Sequence, residues 1–118
     1  MARSDAEATP VAFLGVSSSG NSPRVRIIQE AISPDRRVFL RRLLKEIGWR
    51  QNMFLQFGPE WIWADSGRSL ARALRVHNST VTRALHGTLV QTDFGAIPLG
   101  VFADSGVPMF NGPKRLSG

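Results

Sequence analysis

With 118 residues, 42% of them hydrophobic, the chain has room for one compact domain plus a tail, and too much apolar content for wholesale disorder. It has no cysteine, which excludes a disulfide scaffold, a Cys-ligated zinc site and a thiol nucleophile, and its two histidines are too few for a His-rich metal site. Fifteen basic side chains against nine acidic ones give a net charge of +6, which points to a polyanionic partner such as nucleic acid.

The charge is blocky. Residues 24–50 carry eight basic and three acidic side chains, residues 66–87 carry four arginines and no acid, and residues 88–113 carry two aspartates and no base. A merely solubilising surface mixes its signs more evenly. No apolar run reaches the ~18 residues that a membrane span needs, and the apolar stretch at residues 11–16 is short for a signal peptide. The expectation is a cytoplasmic protein with no membrane partner, no metal and no cofactor.

Residues 1–23 read as a disordered tail, because Ala, Ser, Thr, Gly and Pro dominate and the run from Ser17 to Pro23 has linker composition. Within it, Val11-Ala12-Phe13-Leu14 has strand character, and GVSSSGNS at residues 15–22 approaches a phosphate-binding loop. Asn21 stands where that loop needs its lysine, and Pro23 obstructs the helix that should follow, so the tail reading prevails.

Residues 24–58 read as helical. A short helix over residues 25–32 would bury Ile27, Ile28 and Ile32. A long one starts at Ser33-Pro34-Asp35, where Ser33 caps, Pro34 suits the first turn and Asp35 complements the dipole. Leu40, Leu43, Leu44, Ile47, Gln51 and Phe54 make its inward stripe, and Gly58-Pro59 stops it. Arg36, Arg37, Arg41, Arg42 and Lys45 fall mostly off the stripe and read as a solvated face. Gly48 inside the helix costs about 1 kcal/mol against Ala, which suggests a close packing partner. In the connector at residues 59–65, Trp61 and Trp63 read as core or lid residues.

From Ser66 the chain describes two short helices joined by a tight turn. Leu70, Ala71 and Leu74 point inward from the first, Val76 plugs the turn, and Val81, Ala84 and Leu85 point inward from the second. This is the spacing of a helix-turn-helix. The opposite face of the second helix shows Asn78, Ser79, Thr82, Arg83 and His86, all able to hydrogen-bond and none acidic. In a major groove Arg83 would bond guanine O6 and N7, with Asn78 and Ser79 reading neighbouring bases. Thr80 and Thr82, with Arg68 and Arg72 from the first helix, suit phosphates. His77 caps the second helix and is counted with this DNA-binding set, whereas His86 favours its C-terminus. Arg75 closes the first helix where a left-handed residue is expected. Residues 88–92 and 96–102 have strand composition around Asp93-Phe94-Gly95, which allows a small hairpin or wing.

VHNSTVTR at residues 76–83 resembles the "VHESTVSR" of sigma-54, the RNA polymerase sigma factor of the nitrogen-regulation class; lac-repressor-type regulators carry a similar "TVSRAL" helix. The flanks extend the likeness over residues 25–107. Upstream, Leu40 to Ile47, Arg50-Gln51, Phe54 and Gly58-Pro59 resemble "IVxRQxxFFxxGP". Downstream, VQTDFGAIPLGVFADSGV at residues 90–107 resembles "VQTPRGxFPLKxFFSSGV". The resemblance implies recognition of the GC-containing promoter element nearer the start site by the helix-turn-helix, with Arg83 as the recognition arginine. It also implies RNA polymerase core and an AAA+ activator as partners. Departures are Asn78 for Glu, Phe94 for Arg, Gly100 for Lys, Gly67 for a core Leu and Arg75 for Gly. No "ARRTVAKYR" box is found, so a truncated, divergent relative is expected.

The resulting expectation is an all-α fold: a three-helix core preceded by a long helix, in a DNA-binding domain over residues 24–107 with flexible residues 108–118 after it. Its function would be sequence-specific binding of double-stranded promoter DNA. The alternatives are a stand-alone helix-turn-helix regulator and a fragment that docks on RNA polymerase without touching DNA. No catalytic grouping is present in the sequence, so an enzyme is not expected.

Overall fold

The computed structural model describes residues 9–20, 22–62 and 65–103. The expectations for Trp63, for Asn21 and for the two chain ends at residues 1–8 and 104–118 lie outside them.

The fold is not all-α. A four-stranded sheet in the order β2-β1-β3-β4 joins two hairpins. The first pairs β1 (Ala12–Val16) with β2 (Pro23–Ile27), and the second pairs β3 (Leu89–Thr92) with β4 (Gly95–Pro98). Parallel pairing of Ala12 with Val90 and of Phe13 with Gln91 welds them together. The four α-helices among the described residues lie in the chain between the two hairpins: α1 (Pro34–Arg50), α2 (Asn52–Phe57), α3 (Gly67–Leu74) and α4 (Asn78–Gly87). The domain is therefore mixed α and β.

The correction has a plain cause. Arg24-Val25-Arg26-Ile27 alternates polar and apolar side chains, which is the period of a strand with one buried face. Read as a helix, this stretch would bury Ile28, yet Ile28 is 46% exposed. Ala12–Val16, which composition assigns to the tail, is a strand whose Ala12 and Leu14 are fully buried. The loop that approached a phosphate-binding motif is the turn of this first hairpin. Ser17 N–H donates to Ser22 O (2.8 Å), and Gly20 takes φ +79°.

Helix α1 begins as its sequence requires, with Ser33 Oγ accepting from the Arg36 N–H. Its apolar stripe of Leu43, Leu44 and Ile47 joins Leu14 and Val90 of the sheet and Leu70 and Val81 of the later helices in one core. Gly48 marks the closest approach to the first hairpin: a Cβ there would sit 2.5 Å from the Pro23 Cβ. The helix is not continuous to Gly58. It breaks at the buried Gln51, and α2 follows until Gly58 at φ +116° stops it. Trp61 is 46% exposed and packs against Phe57 at a centroid distance of 5.8 Å, so it is a surface residue and not a core one.

Candidate nucleic-acid interface

The α3–α4 unit is a helix-turn-helix. Ser66 caps α3 through bonds from the Arg68 and Ser69 N–H groups. At the other end Arg75 adopts φ 60°, ψ 46°, the one non-glycine residue at positive φ among those described. Its N–H bonds Arg72 O, while the Val76 N–H reaches back to Ala71 O at 3.0 Å. That pair of bonds is a Schellman closure, which normally uses glycine. Leu70, Ala71 and Leu74 of α3 meet Val81, Ala84 and Leu85 of α4 in the core, as their spacing predicts.

Two arginines of α1 hold α3 in place, one at each end. The Arg42 guanidinium donates to Leu74 O at 2.6 Å, satisfying a carbonyl at the helix C-terminus. The Arg50 guanidinium bonds Glu46 Oε2 (2.8 Å), Asp65 Oδ2 (2.6 Å) and Ser69 Oγ (2.8 Å) at the N-terminal end. Asp65 in turn accepts from the Ser66 N–H, next to the cap. Burial works against the Arg50 charge, but the bonds and charges of Glu46 and Asp65 outweigh it and raise the pKa above the ordinary value. In the sequence Arg42 reads with the solvated face of α1, whereas Arg50 stands out only through the upstream resemblance, which says nothing of its partners.

Helix α4 presents its polar side to solvent. Ser79, Thr82, Arg83 and His86 are exposed along the crest, opposite the buried Val81, Ala84 and Leu85. Asn78 and Thr80 stand on the two flanks of this crest. His77 is committed to its cap: Nδ1 accepts from the Ser79 N–H at 3.1 Å and lies 2.9 Å from Ser79 Oγ. With Nδ1 an acceptor, the ring proton sits on Nε2. This ring thus shapes the start of α4.

A cleft borders each flank of α4. One, of about 480 Å³, has Arg68 from the first turn of α3 on one wall and Asn78, Thr82 and His86 on the other. Gly67 floors it, with only Leu85 near the place a Cβ would occupy, at 3.7 Å. The second cleft, of about 390 Å³, runs between α4 and the start of α1, where Arg36 and Asp35 face Thr80 and Arg83. Arg72 is exposed one turn beyond Arg68. Among the described residues, ion pairs occur at Arg50 and not at Arg68, Arg72 or Arg83. Arg36 was missed as a neighbour of Arg83, because the two lie far apart in the sequence.

The hairpin after α4 does not project as a free wing. Phe94 at its tip packs against Phe54 of α2, ring centroids 5.6 Å apart, and Phe54 meets Phe102 at 5.5 Å, the rings tilted by 50°. Thr92 Oγ1 holds the tip, accepting from the Phe94 N–H and donating to Gly95 O.

No helix among the described residues is long and apolar enough to cross a membrane, and they hold no cluster of His, Asp or Glu suited to a metal. The family model described as "Sigma-54, DNA binding domain" matches residues 19–114. Two proteins from Rhodobacter capsulatus, one from a named strain and both called RNA polymerase sigma-54 factor, are each 34% identical to the chain over 68 residues. The matched stretch is 58% of this chain and 16% of either relative.

Proposed function

Because the chain belongs to the family of sigma-54 DNA-binding domains, we propose that its helix-turn-helix binds double-stranded promoter DNA sequence-specifically, as a sigma-54-like module in transcription initiation. The observation that carries the proposal is the crest of α4: Ser79, Thr82, Arg83 and His86 exposed together without an acid, between clefts edged by Arg68 and Arg36. Laid in a major groove, α4 would direct the Arg83 fork at guanine O6 and N7. Arg68 and Arg72 on α3, with Arg36 on α1, would meet phosphates on either side and fix the register. Asp35 beside Arg36 would repel a phosphate placed too close, which narrows how the duplex can sit. Asn78 in place of the family's glutamate offers a donor as well as an acceptor at the groove edge, so base preference should differ from that of typical members.

A second reading, docking on RNA polymerase, draws on a different observation. Trp49, Met53, Phe57 and Trp61 are exposed at four-residue steps along α1, α2 and the turn after them.

The test is binding of the full chain to a random duplex pool, followed by titration of the selected sites against salt. If Arg36, Arg68, Arg72 and one further cation cover about four phosphates, the log–log slope should be near −3 to −4. Selection of no preferred sequence, or a flat salt response, would overturn the proposal.

A further inference from the structure

The outward face of the sheet takes no part in the α4 surface and shares no lining residue with either cleft beside it. At its centre, on β1, stands Phe13. Its ring lies against Gly15, so close that a Cβ on Gly15 would sit 2.8 Å from the ring. Cross-strand pairing puts Arg26 beside Phe13 on one side and Gln91 on the other, and Arg24 beside Gly15. Phe13, Arg24, Val25, Arg26, Ile28 and Gln91 line one cleft of about 590 Å³. Both arginines are exposed, and no outward position of the four described strands holds an acid.

An aromatic ring seated on a sheet, with cations on the neighbouring strand and an amide opposite, has the makings of a platform for an unpaired base. The ring offers a stacking surface to any base, the guanidinium groups meet the backbone phosphates, and the amide can bond a base edge. We propose that this sheet face binds single-stranded nucleic acid, with a base stacked on Phe13 and phosphates on Arg24 and Arg26. Duplex DNA cannot use the site, because its bases are already stacked on one another. Charge complementarity selects the occupant: an apolar protein segment would have to desolvate both arginines, whereas a phosphate backbone pairs with them.

The experiment titrates the full chain into labelled oligothymidylate and oligouridylate of equal length and follows anisotropy at several salt concentrations. Both strands should bind. Phe13→Leu should weaken binding about tenfold or more, the usual loss of one stacked base. The double variant Arg24→Gln with Arg26→Gln should weaken it and flatten the salt slope by about one unit. Neither change should alter affinity for a selected duplex, whereas Arg83→Ala should lower duplex affinity and leave single-strand binding as it was. Tighter binding of oligouridylate would identify the source as RNA, and the reverse a DNA strand. Should Phe13→Leu lower the thermal midpoint, the arginine double variant carries the test alone, since both side chains are exposed. The proposal fails if neither strand binds, or if the double variant binds as the wild type does; Arg24 and Arg26 would then only guard an edge strand. Single-strand binding without duplex binding would overturn the reading of α4 and leave this one standing.

Discussion

The arginines of α1 and those of the α3–α4 unit have the same chemistry and different surroundings. On α1, Arg42 is bonded to Leu74 O and Arg50 to Glu46, Asp65 and Ser69, while Arg37 reaches Glu30 O at 3.3 Å. On the helix-turn-helix, Arg68, Arg72 and Arg83 are exposed and have no ion pair among the described residues. Arg42 and Arg50 therefore orient the unit, whereas Arg68, Arg72 and Arg83, like Arg36 and Arg41 on α1, stand exposed. A basic stretch in a sequence does not say which of these it is, since what distinguishes them is whether a carbonyl or carboxylate from a distant segment comes within reach.

The sharpest way to break this contrast is to exchange the expected losses. Arg50→Ala removes the bonds to Asp65 and Ser69 at the start of α3 and the one to Glu46 within α1, and leaves Asp65 without its cation; we expect a loss of about 2–4 kcal/mol in stability by chemical denaturation. Any fall in DNA affinity should follow the unfolded fraction. Arg83→Ala should do the opposite, costing about 1–3 kcal/mol in affinity on a preferred duplex and relaxing discrimination at one base pair, with the denaturation midpoint unchanged. If Arg83→Ala weakened all sequences equally, the residue would be a phosphate contact only. The smallest effect belongs to Arg75→Gly. Relief of left-handed strain is worth about 1 kcal/mol and exceeds the extra unfolded-state entropy of glycine only slightly, so the midpoint should rise a little or stay level. A clear loss would mean that Arg75 has a role in the fold beyond closing α3.

What could be read in advance was local. Ser33 as a cap, Gly58 as a stop, Gly48 as a close contact and Arg75 as the left-handed residue each follow from one position and its near neighbours. The crest of α4 was legible for the same reason, because helical spacing alone sorts Val81, Ala84 and Leu85 from Ser79, Thr82 and Arg83. The sheet was not. Its first hairpin is short, lies in a stretch rich in Ser and Gly, and is held by packing on α1 and by pairing with β3 at the other end of the domain. The clefts beside α4 were equally hidden: Arg36 and Arg83 meet only because α1 and α4 pack on one core. Phe94 shows the other limit. As a departure from the family's arginine it signalled a lost cation, whereas its contact with Phe54 shows what the substitution provides instead.

The parallel seam between β1 and β3 also sets an order of events during synthesis. Ala12 emerges from the ribosome well before Val90, its partner. Loop-closure entropy rises only by about 0.6 kcal/mol per doubling of length, so the separation is tolerable at equilibrium. It matters in time, because contacts this far apart form slowly. Until β3 arrives, the nascent first hairpin shows an open backbone edge on its apolar strand, next to Ala12 and Leu14. That interval leaves β1 open to pairing with a neighbour's strand along an edge that β3 closes in the finished domain.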